Sequence, residues 1–370
     1  MMENKVNNNL DDDVKKKLKN FGGDDSNLNS LNPYVLGDKE TYPELDEIVE
    51  KFLQYHKGKA DGVFSWVKEL NELAKDLEGD NISYKGDSAN QHYGLPTHVN
   101  GDYKNGLIYH CLFNAGTNGV EDTIKTNNCT LEEYYKIPEK DSEKGPKDIN
   151  KLISKDEELK DKIVNVRNNI IGPDSLLTKE LIDERNGDER GYYCKNYYQE
   201  ILRKNGDFYF DLDIKDEKIS ERTNNMVNIE LYPLRSIDKD GAKYKLNKFS
   251  LFGAYIILYR IGKYLNDVKE DSNIQKPIFI FRSFKEWKEC ITAAIKSYLK
   301  LDDDLTNKVF EYLYDNFFLE FSSPEAGSVS SNNLIKKIKN ENDSFDKVKI
   351  GVERFDKMIA CISKPKDSAK

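Results

Sequence analysis

The sequence predicts an α/β protein of three layers, α/β/α, built on a four-stranded parallel sheet. Two observations carry that prediction. Short apolar runs recur at 107–113 (LIYHCLF), 226–232 (MVNIELY), 278–281 (IFIF) and 317–321 (FFLEF), separated by stretches of helical periodicity. Runs of this length and composition fit strands covered on both faces, as in parallel sheets. Each run also ends in polar or turn residues: Asn114, Arg235 with Ser236, Arg282 with Ser283, and Ser322 through Ser331. Polar strand ends meet at the carboxyl edge of an open parallel sheet, where such sheets bind ligands.

In chain order, residues 1–40 are rich in Asn, Asp and Lys and read as a tail with one short helix near 11–20, then loop. Apolar residues recur at three and four from Leu45 to Leu53 and again from Val63 to Leu77, which predicts two amphipathic helices. Residues 79–106 read as a loop holding His92 and His98, a pair without a third metal ligand nearby, so neither metal nor cofactor is expected. Residues 1–100 thus form a tail and helical extension, and 101–370 an α/β domain interrupted by an insertion at about 120–222.

The first strand breaks into Asn114-Ala115-Gly116-Thr117-Asn118-Gly119, which places backbone amides and an Asn side chain at the sheet edge. The insertion predicts helices near 130–136, 147–170 and 190–205 and concentrates tyrosines: Tyr134, Tyr135, Tyr192, Tyr193, Tyr197 and Tyr198. Tyr197 and Tyr198, at helical spacing after Tyr193, read as packing residues in preference to a stacking platform. Residues 249–266 are apolar enough for a crossover helix packed on the sheet, and further helices are predicted at 284–300 and 303–315. Beyond the fourth strand, the Ser-rich run is expected to cap a helix bearing Lys336, Lys337 and Lys339. A last strand or helix falls near 348–362.

No apolar run approaches the length of about 18 residues that spans a membrane, and the polar start MMENKVNNNLDDD has no signal-peptide core. The expected location is the cytoplasm. Five widely spaced cysteines without a C-x-x-C read as reduced thiols. Charge is uneven: residues 241–370 hold 23 Lys/Arg against 18 Asp/Glu, so a net −9 chain concentrates −14 in its first 240 residues. A basic final third suits one DNA-facing surface or, equally, solvated helix faces of mixed charge.

Two segments, FNAGTNG and FSSPEAGSVSSNNL, give the chain a resemblance to the uracil-DNA glycosylase superfamily, in its mismatch-specific and single-strand-selective branches. FNAGTNG is similar to the family's Asn-Pro-Gly loop, with Ala115 in the place of Pro. FSSPEAGSVSSNNL resembles its Pro-Ser-rich minor-groove loop, without the family's His. The resemblance covers roughly 107–345 and extends to the order of strands and loops. It implies a uracil-DNA-glycosylase-like fold and a DNA glycosylase that flips a base and hydrolyses its N-glycosidic bond, with DNA as partner, no cofactor and no membrane.

By position, the resemblance makes Asn114 the residue that orients water, with Asp122, beside Glu121, as a candidate general base. It makes Phe113, Gly116, Tyr232, Arg235, Ser236 and Arg282 base-binding residues. Ser323, Pro324, Ser328, Val329, Ser330, Asn332, Lys336 and Lys337 become the DNA-binding loop, with Val329 as the wedge. The plainer readings stand beside these: a left-handed turn for Asn114, a capping loop for 322–333, and a helix start for Glu121 and Asp122. Because the insertion leaves and rejoins the sheet beside the pocket, its tyrosines suit a bulky modified pyrimidine, as in foreign phage DNA. A non-catalytic DNA- or nucleotide-binding module is the alternative, and an acidic protein-docking role is a third reading.

Overall fold

The computed structural model describes residues 10–34, 83–84, 97–116, 170–185, 191–204, 219–220, 223–236, 242–243, 246, 248–271, 274–323, 327–339 and 345–360. Its strands in chain order are β1 (Ser83–Tyr84), β2 (Val99–Asn100), β3 (Ile108–Gly116), β4 (Ile171–Gly172), β5 (Met226–Ser236), β6 (Ala242–Lys243), β7 (Ile278–Phe281), β8 (Phe318–Phe321), β9 (Leu334–Lys339) and β10 (Phe345–Lys349). Eight of them form one mixed sheet in the order β10-β9-β8-β7-β3-β5-β2-β4, while β1 and β6 make a separate antiparallel pair.

The four strands read from the sequence are present and mutually parallel, ordered β5-β3-β7-β8. They are the centre of an eight-stranded mixed sheet, so the expectation of a four-stranded parallel sheet is corrected. Two of the added strands, β2 and β4, are two residues long and leave no periodic signal. The lysine-bearing segment expected as a helix is instead the strand β9, antiparallel to both β8 and β10. Leu334, Ile335 and Ile338 imitate helical spacing, but their partners lie across the sheet, and pairing overrides so short a pattern.

Helices cover both faces. Among the described residues they are α1 (Asp12–Gly22), α2 (Asp25–Asn29), α3 (Leu176–Arg185), α4 (Tyr192–Asn196), α5 (Gln199–Lys204), α6 (Lys248–Glu270), α7 (Phe284–Leu299), α8 (Asp303–Phe317) and α9 (Val352–Ile359). One core sits between the sheet and α1, α6, α7 and α8; a second sits between the opposite face and α3, α4, α5 and α9. Strand alternation decides the division. Tyr109, Cys111 and Phe113 enter the first core while Ile108 enters the second.

The expected tail near residue 11 belongs to the core. Asp11 caps α1 through the amides of Asp13 and Val14, and Leu18 and Phe21 are fully buried. Gly22 and Gly262 let α1 and α6 cross backbone to backbone, for a Cβ at either would overlap the other helix. The helices expected at 45–53, 63–77, 130–136 and 147–170 lie outside the described residues, apart from Ile170 at the end of the last.

Candidate functional site at the carboxyl edge

The order β5-β3-β7-β8 sends the chain from β3 to one side and from β7 to the other. Adjacent strands whose outgoing connections part in this way leave a crevice at their carboxyl ends. Here the switch in strand order falls between the end of β3 (Asn114 to Gly116) and the end of β7 (Arg282 and Ser283). Asn114 pairs with Tyr232 and Gly116 with Ser236, with a register shift between them. The Arg282 amide donates to the Cys111 carbonyl at 2.9 Å, carrying the β3–β7 ladder one residue further. Ser283 begins α7 in the left-handed region, φ 57°, without a side-chain cap bond. That conformation is uncommon for a residue with a Cβ, and such strain gathers at functional sites.

Beside this crevice, the face that receives α3, α4 and α5 carries polar side chains in otherwise apolar strands. His110 on β3 and Asn228 on β5 are directly opposite, and Glu230 is opposite Leu112 one step nearer the edge. All three are buried. Their partners come from the tyrosine-rich segment. Asn228 Oδ1 accepts the Leu176 amide at the start of α3, at 3.2 Å. This orients Nδ2 to donate to the Tyr198 hydroxyl. Tyr198 keeps its own proton for His110 Nδ1, 3.1 Å away. A neutral imidazole that accepts at Nδ1 carries its proton on Nε2, and His110 Nε2 has no hydrogen-bond partner among the described residues. Burial, reinforced by the charge of Arg282, pushes the His110 pKa down to about 3, so the ring is neutral at pH 7.

Arg282 lies over Tyr197, its guanidinium carbon 4.8 Å from the ring centre, and 5.0 Å from that of Phe321. Its Nη2 reaches the Gly327 carbonyl at 3.4 Å. The same two rings flank His110, at 5.3 and 5.7 Å. Tyr193 donates to Glu230 at 3.4 Å. The turn carrying these tyrosines is anchored by Glu180, whose carboxylate accepts the Tyr193 and Cys194 amides at 2.9 and 2.6 Å. Despite both bonds, burial raises the Glu180 pKa.

The Ser-rich loop joins this assembly. The Val329 amide donates to the Tyr197 carbonyl at 2.7 Å, and Val329 is fully buried rather than protruding as a wedge would. Ser330 is buried and its carbonyl accepts the Asn333 and Leu334 amides; Ser328 accepts from the Asn333 side chain at its carbonyl, 2.8 Å, and its hydroxyl, 3.2 Å. Ser323 sits where the loop leaves β8, and Asn332 is exposed.

Lys336 is buried and donates to the Tyr314 and Phe318 carbonyls, which places a cation at the carboxyl end of α8. Burial lowers its pKa to about 8. Lys337 pairs with Glu320 at 2.8 Å. Both lysines are therefore engaged inside the protein. Phe113 packs in the first core and stacks on Tyr232 at 6.3 Å. For Asn114, Gly116, Arg235 and Ser236 the backbone alone is described; Glu121, Asp122, Pro324, Tyr134 and Tyr135 lie outside the described residues.

The structure thus brings Arg282 together with 327–330 and with the tyrosines of the insertion. Sequence reasoning missed His110, Asn228, Glu230 and Glu180. A signal was present: single polar residues at 110, 228 and 230 inside LIYHCLF and MVNIELY, strands expected to be buried on both faces. A buried polar residue is more informative than an apolar one. No protein-family model, curated protein or solved structure matches the chain. Among the described residues no group of His, Cys, Asp and Glu could hold a metal ion, and no helix is long and apolar enough to cross a membrane.

Proposed function

We propose that the chain is a DNA glycosylase that takes a flipped base into the carboxyl-edge crevice and hydrolyses its N-glycosidic bond. The observation that supports this most is the meeting, at one switch point, of the Asn114 strand end with the Arg282–Tyr197 pair and the Ser-rich loop. In this reading Asn114 orients water through its carbonyl oxygen, which suffices for a dissociative transition state. Arg282 and the tyrosines supply ring faces and hydrogen bonds for a bulky, modified pyrimidine. Foreign DNA carrying such bases, as in phages with modified genomes, is the proposed substrate.

The test is abasic-site formation on matched duplexes carrying uracil or bulky 5-substituted pyrimidines. The bulky base should be released faster, and Asn114→Ala should abolish release while leaving DNA affinity within a few-fold. Near-normal excision by that variant would sink the assignment of Asn114, and equal or faster release of uracil would sink the substrate. One observation favours a second reading, a DNA- or nucleotide-binding module without hydrolysis: Lys336 and Lys337, the cations expected to meet phosphate, are engaged within the protein. Specific DNA binding by the unaltered protein with no abasic product on any duplex selects that reading.

A further inference from the structure

The tyrosine turn carries one large aromatic side chain that the fold does not bury. Tyr197 and Tyr198 are interior, but Tyr192 is 55% exposed. Exposed large apolar residues elsewhere among the described residues are aliphatic: Leu246, Ile338, Val348 and Val352. Tyr192 is also rigidly placed. It opens α4, whose next two amides are held by the Glu180 carboxylate. Just before it, a Cβ on Gly191 would meet the Glu180 side chain in its present position. Its ring meets those of Tyr193 and Tyr197 edge-on, at 5.6 and 5.7 Å, so two neighbours fix its plane. Behind Tyr197 stands the Arg282 guanidinium. An exposed ring fixed by a half-buried carboxylate and continued inward by aromatic and guanidinium planes has the construction of a stacking surface.

The geometry points to Tyr192 as a stacking platform for an unpaired nucleobase at the mouth of the carboxyl-edge site. This rests on the reading of the ligand as nucleic acid and adds to it the residue that holds a base outside the helical stack. Val329, the wedge expected from the sequence, is buried and hydrogen-bonded to the turn that presents Tyr192. Stacking on an aromatic ring is tolerant of base identity, so Tyr192 contributes affinity for unpaired DNA and leaves the choice of base to the interior.

The experiment uses the full chain with Tyr192→Ala and Tyr192→Trp, a fluorescent single-stranded oligonucleotide and its blunt duplex. Tyr192→Ala should weaken single-strand binding about tenfold, the size of one lost base–aromatic stack, with an unchanged salt slope because no phosphate contact is lost. Tyr192→Trp should keep the affinity, and the emission of the new indole should be quenched on adding oligonucleotide. Single-strand affinity unchanged in Tyr192→Ala, with no quenching in Tyr192→Trp, overturns the platform. If the unaltered protein still forms abasic sites in that case, the glycosylase reading survives it. Failure of the unaltered protein to bind any oligonucleotide or release any base overturns both.

Discussion

The two faces of the central sheet are made by the same strands and are chemically unlike. Toward α1, α6, α7 and α8 the strands present Tyr109, Cys111, Val227, Ile229, Phe279 and Phe281. Toward α3, α4 and α5 they place His110, Asn228 and Glu230 among Ile108, Met226 and Ile280. Apolar burial stabilises by roughly 25 cal/mol per Å² and needs close packing but no directed partner. A buried polar group must find a partner, and one left without costs about 1–3 kcal/mol. The first face therefore carries the larger of the two apolar cores. The second gives part of its area to a hydrogen-bond chain, Asn228 to Tyr198 to His110, in which His110 Nε2 has no partner among the described residues.

The comparison breaks most visibly at Trp287, which is fully buried on the apolar face and donates from Nε1 to the Leu112 carbonyl at 2.9 Å. Trp287→Ala should cost about 3–5 kcal/mol, read as a lowered denaturation midpoint. His110→Phe, of similar shape on the other face, should cost only about 1 kcal/mol at pH 7, since it removes one acceptor from Tyr198. Equal losses from the two would erase the distinction.

Acid sharpens it. His98, beside α6 with Nδ1 2.9 Å from the Tyr34 hydroxyl, also has its pKa pushed down to about 3, chiefly by burial. Both folded values lie below the ordinary 6.5, so the unfolded chain takes up protons first as pH falls. Stability is then fully present above about pH 6.5 and is lost below it, by about 2 kcal/mol per histidine at pH 5. Replacing either histidine by Phe should halve the difference between denaturation midpoints at pH 7 and pH 5. A stability flat across that interval would mean that water reaches the rings.

A similarly small effect is expected at Lys336. Its ammonium satisfies two carbonyls at the end of α8 but carries a desolvation cost that lowers its pKa to about 8. Those terms oppose each other, so Lys336→Met should change stability by about 1 kcal/mol. The salt slope of any DNA binding should stay as it was, whereas a slope reduced by about one would return Lys336 to the phosphate interface.

The four central strands, α6, α7 and α8 were legible because each is long or apolar enough for burial to impose its period on the residues. The carboxyl edge was legible from the polar residues that end those strands, Asn114, Arg282 and the Ser-rich run. What the sequence by itself determined about this protein is therefore the parallel centre and the polar residues that end its strands. Only the tertiary structure decided the rest. It drew residues 10–34 into the core, turned the segment of Lys336 from helix to strand, buried Val329, and set His110 against Tyr198, 88 positions away. Local periodicity reports which face of an element is apolar. Which polar side chain meets which is settled by the pairing of distant strands and helices, and no local pattern encodes that pairing.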